Sequence, residues 1–460
     1  MLNRREFNQG LIAFALGGLA THLRAGELVK NVSSLDSHGL VTNLIPDIHE
    51  TLDLPQGFSY QIISKLAQTM SDGLAVPDRA DGMGCFMLDN ERVVLVRNHE
   101  LTPSQALQIN NSSTQIKLSS DVYDTDTSGN PLPGGTSNIV YNLKTQQVEY
   151  QCMTLLGTIR NCSGGTTPWG SWLTCEESVA TASDTIHKDH GYVFEVPSQA
   201  RTLVSPKPIK AMGRFNHEAA CVDPQTGIVY LTEDRPDSLF YRFIPNTPGT
   251  LHAGGKLQAL KITNQPKFDT RNWHEAHMPP NQSFECEWLD LNEVDSPEDD
   301  LRQRGFALGA ALFARGEGIY FDVNEMYFCC TSGGKQQLGQ IMRYTPTLSN
   351  TPDDNTSFSG TLTLFVESLN KATFNYGDNI TVAPNGHLLV CEDQYSNIVD
   401  NHLKGITPQG EIYDFAKVRW QTEPAGACFS PDGSVLFVNL YSPTTTLAIT
   451  GPWHSLHAKN

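Results

Sequence analysis

The chain has 460 residues and carries 50 acidic against 32 basic residues, which gives it a formal net charge of −18. So large an excess of negative charge argues against nucleic acid or an anionic membrane surface as a partner, and it favours metal cations. The composition does not change along the chain in a way that marks separate domains. We therefore expect one large closed β domain over residues 26–460.

Residues 1–25 have the features of an export signal. Arg4 and Arg5 precede an apolar stretch, residues 11–19, that is too short to span a bilayer permanently. The pair of arginines predicts the twin-arginine route, which carries folded proteins out of the cytoplasm. An ordinary secretory signal that happens to contain two arginines is the alternative. Both interpretations predict a periplasmic or secreted protein.

A pattern of two apolar strands joined by a turn rich in Gly, Asp, Asn or Pro occurs six times along the chain. The six predicted hairpins cover residues 81–100, 162–177, 216–234, 315–333, 378–393 and 423–440. Further strand-like segments between them leave room for four strands in each repeat. The repeat predicts an all-β fold, a six-bladed β-propeller with loop insertions at the mouth of its channel.

The two ends of the chain are expected to close this propeller. One strand near residues 445–449 follows the last hairpin, so its sheet lacks a partner strand at the end of the sequence. The apolar segment 58–64 can supply the missing outer strand and leave no free edge. The ten cysteines mostly follow small residues or end apolar runs, so we expect buried free thiols rather than disulfides.

Polar residues stand at the start of the first strand and the end of the second strand in each hairpin. Because these two positions lie at the same end of a hairpin, all of them are expected to face one mouth of the channel. They are Asp81, Asn98, Glu100, Cys162, Glu176, Glu177, Asn216, His217, Glu218, Glu233, Asp234, Arg315, Glu317, Asp378, Asn379, Glu392, Asp393 and Asn439. Carboxylates crowded in a channel repel each other unless protons or metals lie between them, and we expect metals.

The types of side chain indicate which metals would bind. Carboxylate and amide oxygens suit calcium, magnesium or manganese, whereas the thiolate of Cys162 suits a softer transition metal. The alternatives are that a single acidic residue after a strand lies in a solvated turn and that Cys162 is one more buried thiol. His217 is either a ligand or a residue that orients a neighbouring carboxylate, and His99 is expected to be structural.

Arg315 is predicted to be the only fixed cation among the strand starts at this mouth. A guanidinium group is suited to bidentate binding of phosphate or carboxylate. Its alternative role is to neutralise neighbouring carboxylates. Metals combined with one arginine are compatible with a site that hydrolyses phosphate esters.

Several segments of the chain resemble the PhoX-type secreted alkaline phosphatases. They include residues 78–84, 97–100, 134–136, 161–170, 175–177, 216–220, 315–318, 378–379 and 391–393. The most specific are Cys162-x-Gly-Gly-x-x-Pro-Trp-Gly and Arg315-x-Glu-Gly. The resemblance implies a six-bladed propeller, exported in folded form, that cleaves phosphomonoesters with Fe³⁺ and Ca²⁺ in its channel.

The resemblance also implies roles for individual residues. Cys162, Glu218 and Asp378 match iron ligands, and Arg315 matches the phosphate-binding group, with Arg315 and Glu317 as the catalytic residues. The calcium or bridging ligands would be Asn98, Glu100, Glu176, Glu317 and Glu392. The expected partners are a small phosphorylated substrate and metal ions, and a closed propeller needs no second subunit, so we expect a monomer.

Two other functions are compatible with the same residues. One is a calcium-dependent lactonase or phosphodiesterase on the same scaffold, which would have no need of iron or of Cys162. The other is a non-catalytic propeller that binds a partner on one face and uses metals only to stiffen its channel.

Overall fold

The computed structural model describes residues 43–105, 121–347, 360–394 and 399–456. The predicted export signal lies outside these residues. Strands dominate the described part of the chain, which contains a single short α-helix. None of the helices found there is long and apolar enough to cross a membrane.

The strands are numbered in chain order. The first thirteen are β1 (Leu44–Ile45), β2 (Leu52–Pro55), β3 (Ser59–Lys65), β4 (Ala80–Met87), β5 (Arg92–His99), β6 (Gly134–Asn142), β7 (Gln147–Thr158), β8 (Asn161–Thr166), β9 (Ser171–Glu176), β10 (Val193–Pro197), β11 (His217–Val222), β12 (Val229–Glu233) and β13 (Tyr241–Pro245). Two 3₁₀ turns, Lys210–Met212 and Leu251–Ala253, lie in this half.

The second half of the chain continues the same pattern. Its strands are β14 (Gly255–Ile262), β15 (Ser283–Asp290), β16 (Gly316–Asp322), β17 (Glu325–Cys330), β18 (Gln340–Pro346), β19 (Gly360–Glu367), β20 (Gly377–Val382), β21 (Leu388–Glu392), β22 (His402–Ile406), β23 (Ile412–Val418), β24 (Pro424–Phe429), β25 (Val435–Leu440) and β26 (Thr445–Thr450). The helix is α1 (Leu301–Leu308), and a 3₁₀ turn covers Trp453–Ser455.

The described strands form five hydrogen-bonded sheets. Their strand orders are β4-β5-β6-β7, β8-β9-β10, β11-β12-β13-β14-β15-β19-β18-β17-β16, β1-β2-β23-β22-β21-β20 and β24-β25-β26-β3. The nine-stranded sheet contains two runs of four strands, which β15 joins by pairing with β14 on one side and β19 on the other. This joining strand was not predicted, and it makes the sheets unequal in size.

All six predicted hairpins are present, as the pairs β4-β5, β8-β9, β11-β12, β16-β17, β20-β21 and β24-β25. Their first strands contact one another in the order β4, β8, β11, β16, β20 and β24, and β24 contacts β4 again. The first strands therefore line a closed ring, and the sheets radiate from it. The fold is all-β with a propeller-like arrangement of sheets.

The hydrophobic core lies between neighbouring sheets. The middle of β5, Val93–Val96, is buried on both faces, with two of its residues packed against each neighbouring sheet. A sheet with a neighbour on each side has no face for solvent, which explains the continuous apolar runs in the second strands of the hairpins. The ten cysteines are all free, and eight of them are buried, which confirms the expectation of structural thiols.

The two ends of the chain meet in one sheet. β3 pairs antiparallel with β26, from Ser59 opposite Thr450 to Lys65 opposite Thr445. The predicted closure is thus confirmed, and the edge of β26 is covered. Ile63 of β3 is buried in the core between this sheet and the β4–β7 sheet.

We predict that the closing strand stabilises the fold through Ile63. Ile63→Ala should lower the free energy of unfolding by about 2–4 kcal/mol, because it leaves a cavity between two sheets. Gln61→Ala is the matched control: Gln61 lies on the same strand but is exposed, so its loss should cost less than about 0.5 kcal/mol. Denaturant unfolding measures both values, and equal values would contradict this role for the strand.

Candidate metal centre

Every hairpin has the same irregularity at the start of its first strand. The register shifts after the first pairs, so that two residues of the first strand lack a partner in the second. The first of these unpaired residues is Asp81, Cys162, Glu218, Glu317, Asp378 or Gly426. A β-bulge re-aims the side chain that it carries. Five hairpins thus present a carboxylate or thiol side chain at an equivalent bulge.

The end of each second strand lies beside this bulge. In all six hairpins, the residue after the last pair donates its backbone N–H to the carbonyl of the residue just before the first strand. These bonds join Glu100 to Arg79, Glu177 to Arg160, Asp234 to Asn216, Thr331 to Arg315, Asp393 to Tyr376 and Tyr441 to Glu423. A second layer of four carboxylates therefore stands next to the five bulge residues, as expected when strand starts and strand ends share one mouth.

Three overlapping groups of these side chains have ligand atoms within 4.8 Å of one another. They are Asp81 with Glu100 and Cys162, Cys162 with Glu177 and Glu218, and Glu218 with Glu317 and Asp378. Cys162 and Glu218 each belong to two groups, so the three groups form one continuous cluster. All seven residues are buried.

The cluster contains polar atoms that the described protein leaves without a hydrogen-bond partner. They are Asp81 Oδ1 and both carboxylate oxygens of Glu218; Asp393 Oδ1, at a neighbouring strand end, also has no partner among the described residues. A buried charged oxygen without a partner is costly, and most buried polar atoms in proteins have one. These unpartnered oxygens, together with the ligand spacing, fit metal cations. Oxygen ligands would select hard cations, and the single thiol would select a transition metal.

The electrostatics agree with this interpretation. Burial raises the pKa of Asp81, Glu218, Glu317 and Asp378 well above their usual range, and repulsion among the neighbouring carboxylates raises it further. Burial also raises the pKa of the Cys162 thiol, as do Asp81 and Glu218. The thiol donates to Asp81 Oδ2 at 3.5 Å. Without cations these groups therefore keep their protons to a higher pH than free carboxyl groups do, and bound metals would displace those protons.

Two arginines partly compensate the negative charge. Arg315 forms a bidentate pair with Asp234 at 2.7 and 2.8 Å and lies 3.2 Å from Glu317. Arg160 contacts Glu100 at 2.8 Å and Glu177 at 2.5 Å. The expectation that Arg315 is the only cation among the strand starts was wrong. Arg160 could have been found from its spacing, because Arg160-x-Cys162 repeats the spacing of Arg315-x-Glu317.

In four hairpins, the residue that directly precedes the first strand has a strained backbone conformation. Arg79, Arg160, Arg315 and Tyr376 all precede the first strand directly, with φ angles of 54°, 47°, 54° and 50°. A left-handed conformation costs a residue other than glycine about 1–2 kcal/mol. Strain of this kind persists where the surrounding structure over-determines it, and it is concentrated at functional sites.

Glu176 does not join the cluster, although it was a predicted ligand. Its Oε2 accepts a hydrogen bond from the Gly191 N–H at 2.9 Å, and its Oε1 lies 2.6 Å from His190 Nδ1 and accepts from the Ile159 N–H at 3.0 Å. Successive side chains of a strand point in opposite directions. Glu177, one residue later, therefore faces the cluster, whereas Glu176 points to the opposite side, toward His190 and Gly191.

The predicted ligand Glu392 also lies away from the cluster. Its Oε1 accepts from the Asn375 N–H at 2.9 Å, and its Oε2 lies 3.0 Å from His402 Nδ1. The next residue, Asp393, occupies the position equivalent to Glu100 and Glu177. Glu177 and Asp393 were predicted to face the mouth, but their neighbours Glu176 and Glu392 were the predicted metal ligands.

Asn98, also a predicted ligand, has both ends of its amide in use. Its Nδ2 donates to the carbonyls of Cys162 and Ser163 at 3.1 and 2.7 Å, and its Oδ1 accepts from Trp172 Nε1 at 2.9 Å. These contacts hold the bulge that carries Cys162. His217 Nε2 instead contacts the Gly213 carbonyl at 3.0 Å, so the structure does not place it as an orienter of Glu218.

The sixth hairpin supports the cluster without a ligand side chain at its bulge. A Cβ on Gly426 would lie 2.3 Å from the carbonyl oxygen of Asp81, and its φ of 59° also favours glycine. Asn439 of the same hairpin donates to that carbonyl at 2.6 Å. A Cβ on Gly82 would similarly lie 2.5 Å from Ser163 Cα, so the first strands approach closely beside the bulges.

Comparisons with known proteins identify the family and support the fold. The sequence profile of the alkaline phosphatase PhoX family matches residues 40–140 and 125–444. Among solved structures, Pseudomonas fluorescens PhoX in complex with vanadate, a transition state analogue, is similar over 89% of this chain and 98% of its own, with a TM-score of 0.67 and 18% sequence identity. This likeness supports the propeller-like fold.

A gluconolactonase from Xanthomonas campestris is similar over 87% of this chain and 97% of its own, with a TM-score of 0.40 and 12% identity, which is too distant to support an argument. A comparison with curated proteins found no match. The family profile covers most of the chain, and the cluster lies within the residues that it matches. The chain therefore belongs to the PhoX family of alkaline phosphatases, a family of phosphoester hydrolases.

Proposed function

We propose that this chain hydrolyses phosphate monoesters at the acidic cluster and that it uses bound iron and calcium ions to do so. The observation that carries this proposal is the convergence of five bulge residues, four of them carboxylates and one a cysteine, beside two arginines. Membership of an alkaline phosphatase family supports the substrate class.

We propose that the fold is a six-bladed propeller formed by a single domain, residues 26–460. The closed ring of six first strands supports this count. The nine-stranded sheet then consists of two blades, β11–β14 and β16–β19, with β15 as the strand that joins them. The blades position the site because each contributes one strand start to the ring.

The proposed cation ligands are the seven residues of the three groups: Asp81, Glu100, Cys162, Glu177, Glu218, Glu317 and Asp378. Iron is proposed near Cys162, because a thiolate favours a transition metal, and calcium among the remaining carboxylates. Glu177 replaces Glu176 as the proposed ligand of its hairpin, and Asp393 rather than Glu392 is the carboxylate of its hairpin that stands at the mouth. Asn98 acts by holding the Cys162 bulge.

Bound cations would polarise the phosphoryl oxygens and lower the pKa of a nucleophilic water. Arg315 is proposed to bind the phosphoryl group: Asp234 holds its Nε and Nη2, so the guanidinium plane is fixed and its Nη1 is left for an oxygen of the substrate. Glu317 connects this arginine to the cluster. The Tyr441 hydroxyl donates to Glu100, and burial together with Glu100 raises the Tyr441 pKa, so this proton stays on Tyr441.

We further propose that the protein is exported through the twin-arginine pathway and acts in the periplasm or outside the cell as a monomer. The sequence of residues 1–25 supports this proposal. An exported chain with ten free, mostly buried cysteines is compatible with folding before export.

The first prediction of this proposal concerns Arg315 and Glu317. The purified protein should hydrolyse 4-nitrophenyl phosphate at alkaline pH and should lose turnover in a chelator. Arg315→Ala should keep its metals and lose about 10²–10³-fold in kcat/KM, because it removes one donor to the phosphoryl group. Glu317→Ala should lose both metal and activity.

The control for Arg315→Ala is Arg343→Ala, since Arg343 lies on β18 of the same sheet and pairs only weakly with Glu325, at 3.8 Å. It should leave kcat/KM unchanged. Full activity in Arg315→Ala would remove Arg315 from the mechanism, and chelator-resistant turnover would contradict the metal-dependent proposal.

Two neighbouring glutamates provide a second prediction. Glu177→Gln should lower the metal content and the activity, because it removes a carboxylate from the cluster. Glu176→Gln should keep the metal content and instead lower the melting temperature, since Glu176 holds three backbone N–H groups and His190. Metal analysis and thermal unfolding separate the two effects. If Glu176→Gln lost metal and Glu177→Gln did not, Glu176 rather than Glu177 would be the metal ligand.

The third prediction concerns pH. In the chelated protein, Asp81, Glu218, Glu317 and Asp378 have raised pKa values, so the folded state binds more protons than the unfolded state. Its free energy of unfolding should therefore fall as the pH rises above about 4, the ordinary carboxyl pKa. Thermal unfolding should give a lower midpoint at pH 8 than at pH 5, and metals should abolish this difference. Equal midpoints in the chelated protein would contradict the prediction.

A further inference from the structure

A third arginine occupies the position of Arg160 and Arg315. Arg79 directly precedes the first strand of its hairpin, has a φ of 54°, and stands two residues before the bulge residue Asp81. The spacing Arg-x-ligand thus occurs three times, at Arg79, Arg160 and Arg315. A recurring arginine in a strained backbone conformation at the mouth of the site indicates a functional role rather than a chance surface charge.

Arg79 differs from the other two arginines in its partners. Arg160 and Arg315 each contact two carboxylates, whereas in the described ranges no carboxylate lies within ion-pair distance of Arg79. The Arg79 guanidinium lies over the Tyr441 ring, 5.6 Å from its centroid, and donates to the Tyr441 hydroxyl at 3.2 Å. Tyr441 in turn donates to Glu100.

These contacts place Arg79 outside the layer of ligands. Arg160 and Arg315 touch proposed ligands directly, but one tyrosine separates Arg79 from Glu100. The strands β4 and β16 are three steps apart in the ring of six in either direction, so Arg79 and Arg315 stand on opposite sides of the mouth. Arg79 is half-buried, and its remaining N–H groups can reach a bound molecule.

The chemistry of the Arg79 guanidinium determines which ligands it would bind. A guanidinium is always charged and forms directional, charge-assisted bonds with carboxylate or phosphate. The contact with the Tyr441 ring orients the guanidinium, and among the described residues only the Tyr441 hydroxyl accepts one of its N–H donors. In a chain with a net charge of −18, Arg79, which pairs with no carboxylate of the described ranges, is available for an anion from solution.

We infer that Arg79 binds an anionic group on the leaving-group side of the substrate, so that the enzyme favours phosphomonoesters whose leaving group carries a second negative charge. This inference rests on the proposed function. The transferred phosphoryl group lies with the cluster and Arg315, and Arg79 contacts the part of the substrate beyond it. Arg79 is therefore a specificity-determining residue.

The test compares two substrates that differ mainly in one charge, 4-nitrophenyl phosphate and 4-carboxyphenyl phosphate. Arg79→Gln should lower kcat/KM about tenfold or more for the carboxyphenyl ester, mainly through KM, because a charge-assisted contact is lost. For the nitrophenyl ester the loss should be about two- to threefold at most. Arg79→Lys should keep most of the preference, since it keeps the charge.

Arg92→Gln is the matched control, because Arg92 lies in the same hairpin at the opposite end, where it pairs with Asp89 and Glu149. It removes the same charge and should leave both rates unchanged. Equal losses for the two esters in Arg79→Gln would overturn the inference, since Arg79 would then act on the phosphoryl group or on the fold. Absence of any loss would overturn it as well.

The wild-type protein gives an independent measurement if Arg79→Gln fails to fold. Salt screens charges that solvent reaches, and half-buried Arg79 is partly within its reach, so the preference for the carboxyphenyl ester should fall in part between about 0.01 M and about 0.5 M ionic strength. The same salt dependence for both esters would contradict the inference. Turnover of the nitrophenyl ester by the wild type tests the proposed function separately, and its absence would remove both proposals.

Discussion

Repulsion among buried carboxylates is the constraint on which the site depends. Asp81, Glu218, Glu317 and Asp378 are brought together with Cys162 in the middle of a ring of strands, and some of their oxygens have no hydrogen-bond partner in the described protein. Two arginines compensate only part of this charge. Such an arrangement is stable only with protons or cations between the carboxylates. The remaining features of the site either hold this cluster in place or supply positive charge to it.

The bulge is the structural device that creates the cluster. A regular strand start would keep its side chains in the alternation of the sheet, whereas a bulge turns one side chain per hairpin toward the axis of the ring. Because the hairpins are equivalent, one local irregularity repeated around the ring brings together five carboxylate or thiol side chains. This arrangement costs free energy locally, because neighbouring first strands pack closely, as at Gly82, and the arginines have positive φ angles. The hydrophobic cores between the sheets offset this cost.

Much of this could be predicted from the sequence, because it depends on local patterns. The hairpins, the closure of β3 on β26 and the resemblance to the PhoX family are confirmed, and Glu100, Cys162, Glu218, Glu317 and Asp378 lie together in one cluster. The choice between Glu176 and Glu177, or Glu392 and Asp393, could not be made from the sequence. Which of the two neighbours faces the cluster depends on the register of the last pair in each hairpin, and the number of residues in the bulge sets that register. The strand β15 belongs to no repeat, so periodicity gave no sign of it.

The most direct measurement is elemental analysis of the purified mature protein by plasma mass spectrometry. Iron and calcium should be found together, in stoichiometric amounts that fall when Glu218 is replaced by Gln, because Glu218 belongs to two of the three groups. Calcium without iron would contradict the proposed role of Cys162. A folded protein with no bound metal at neutral pH would contradict the central claim that cations hold this cluster together.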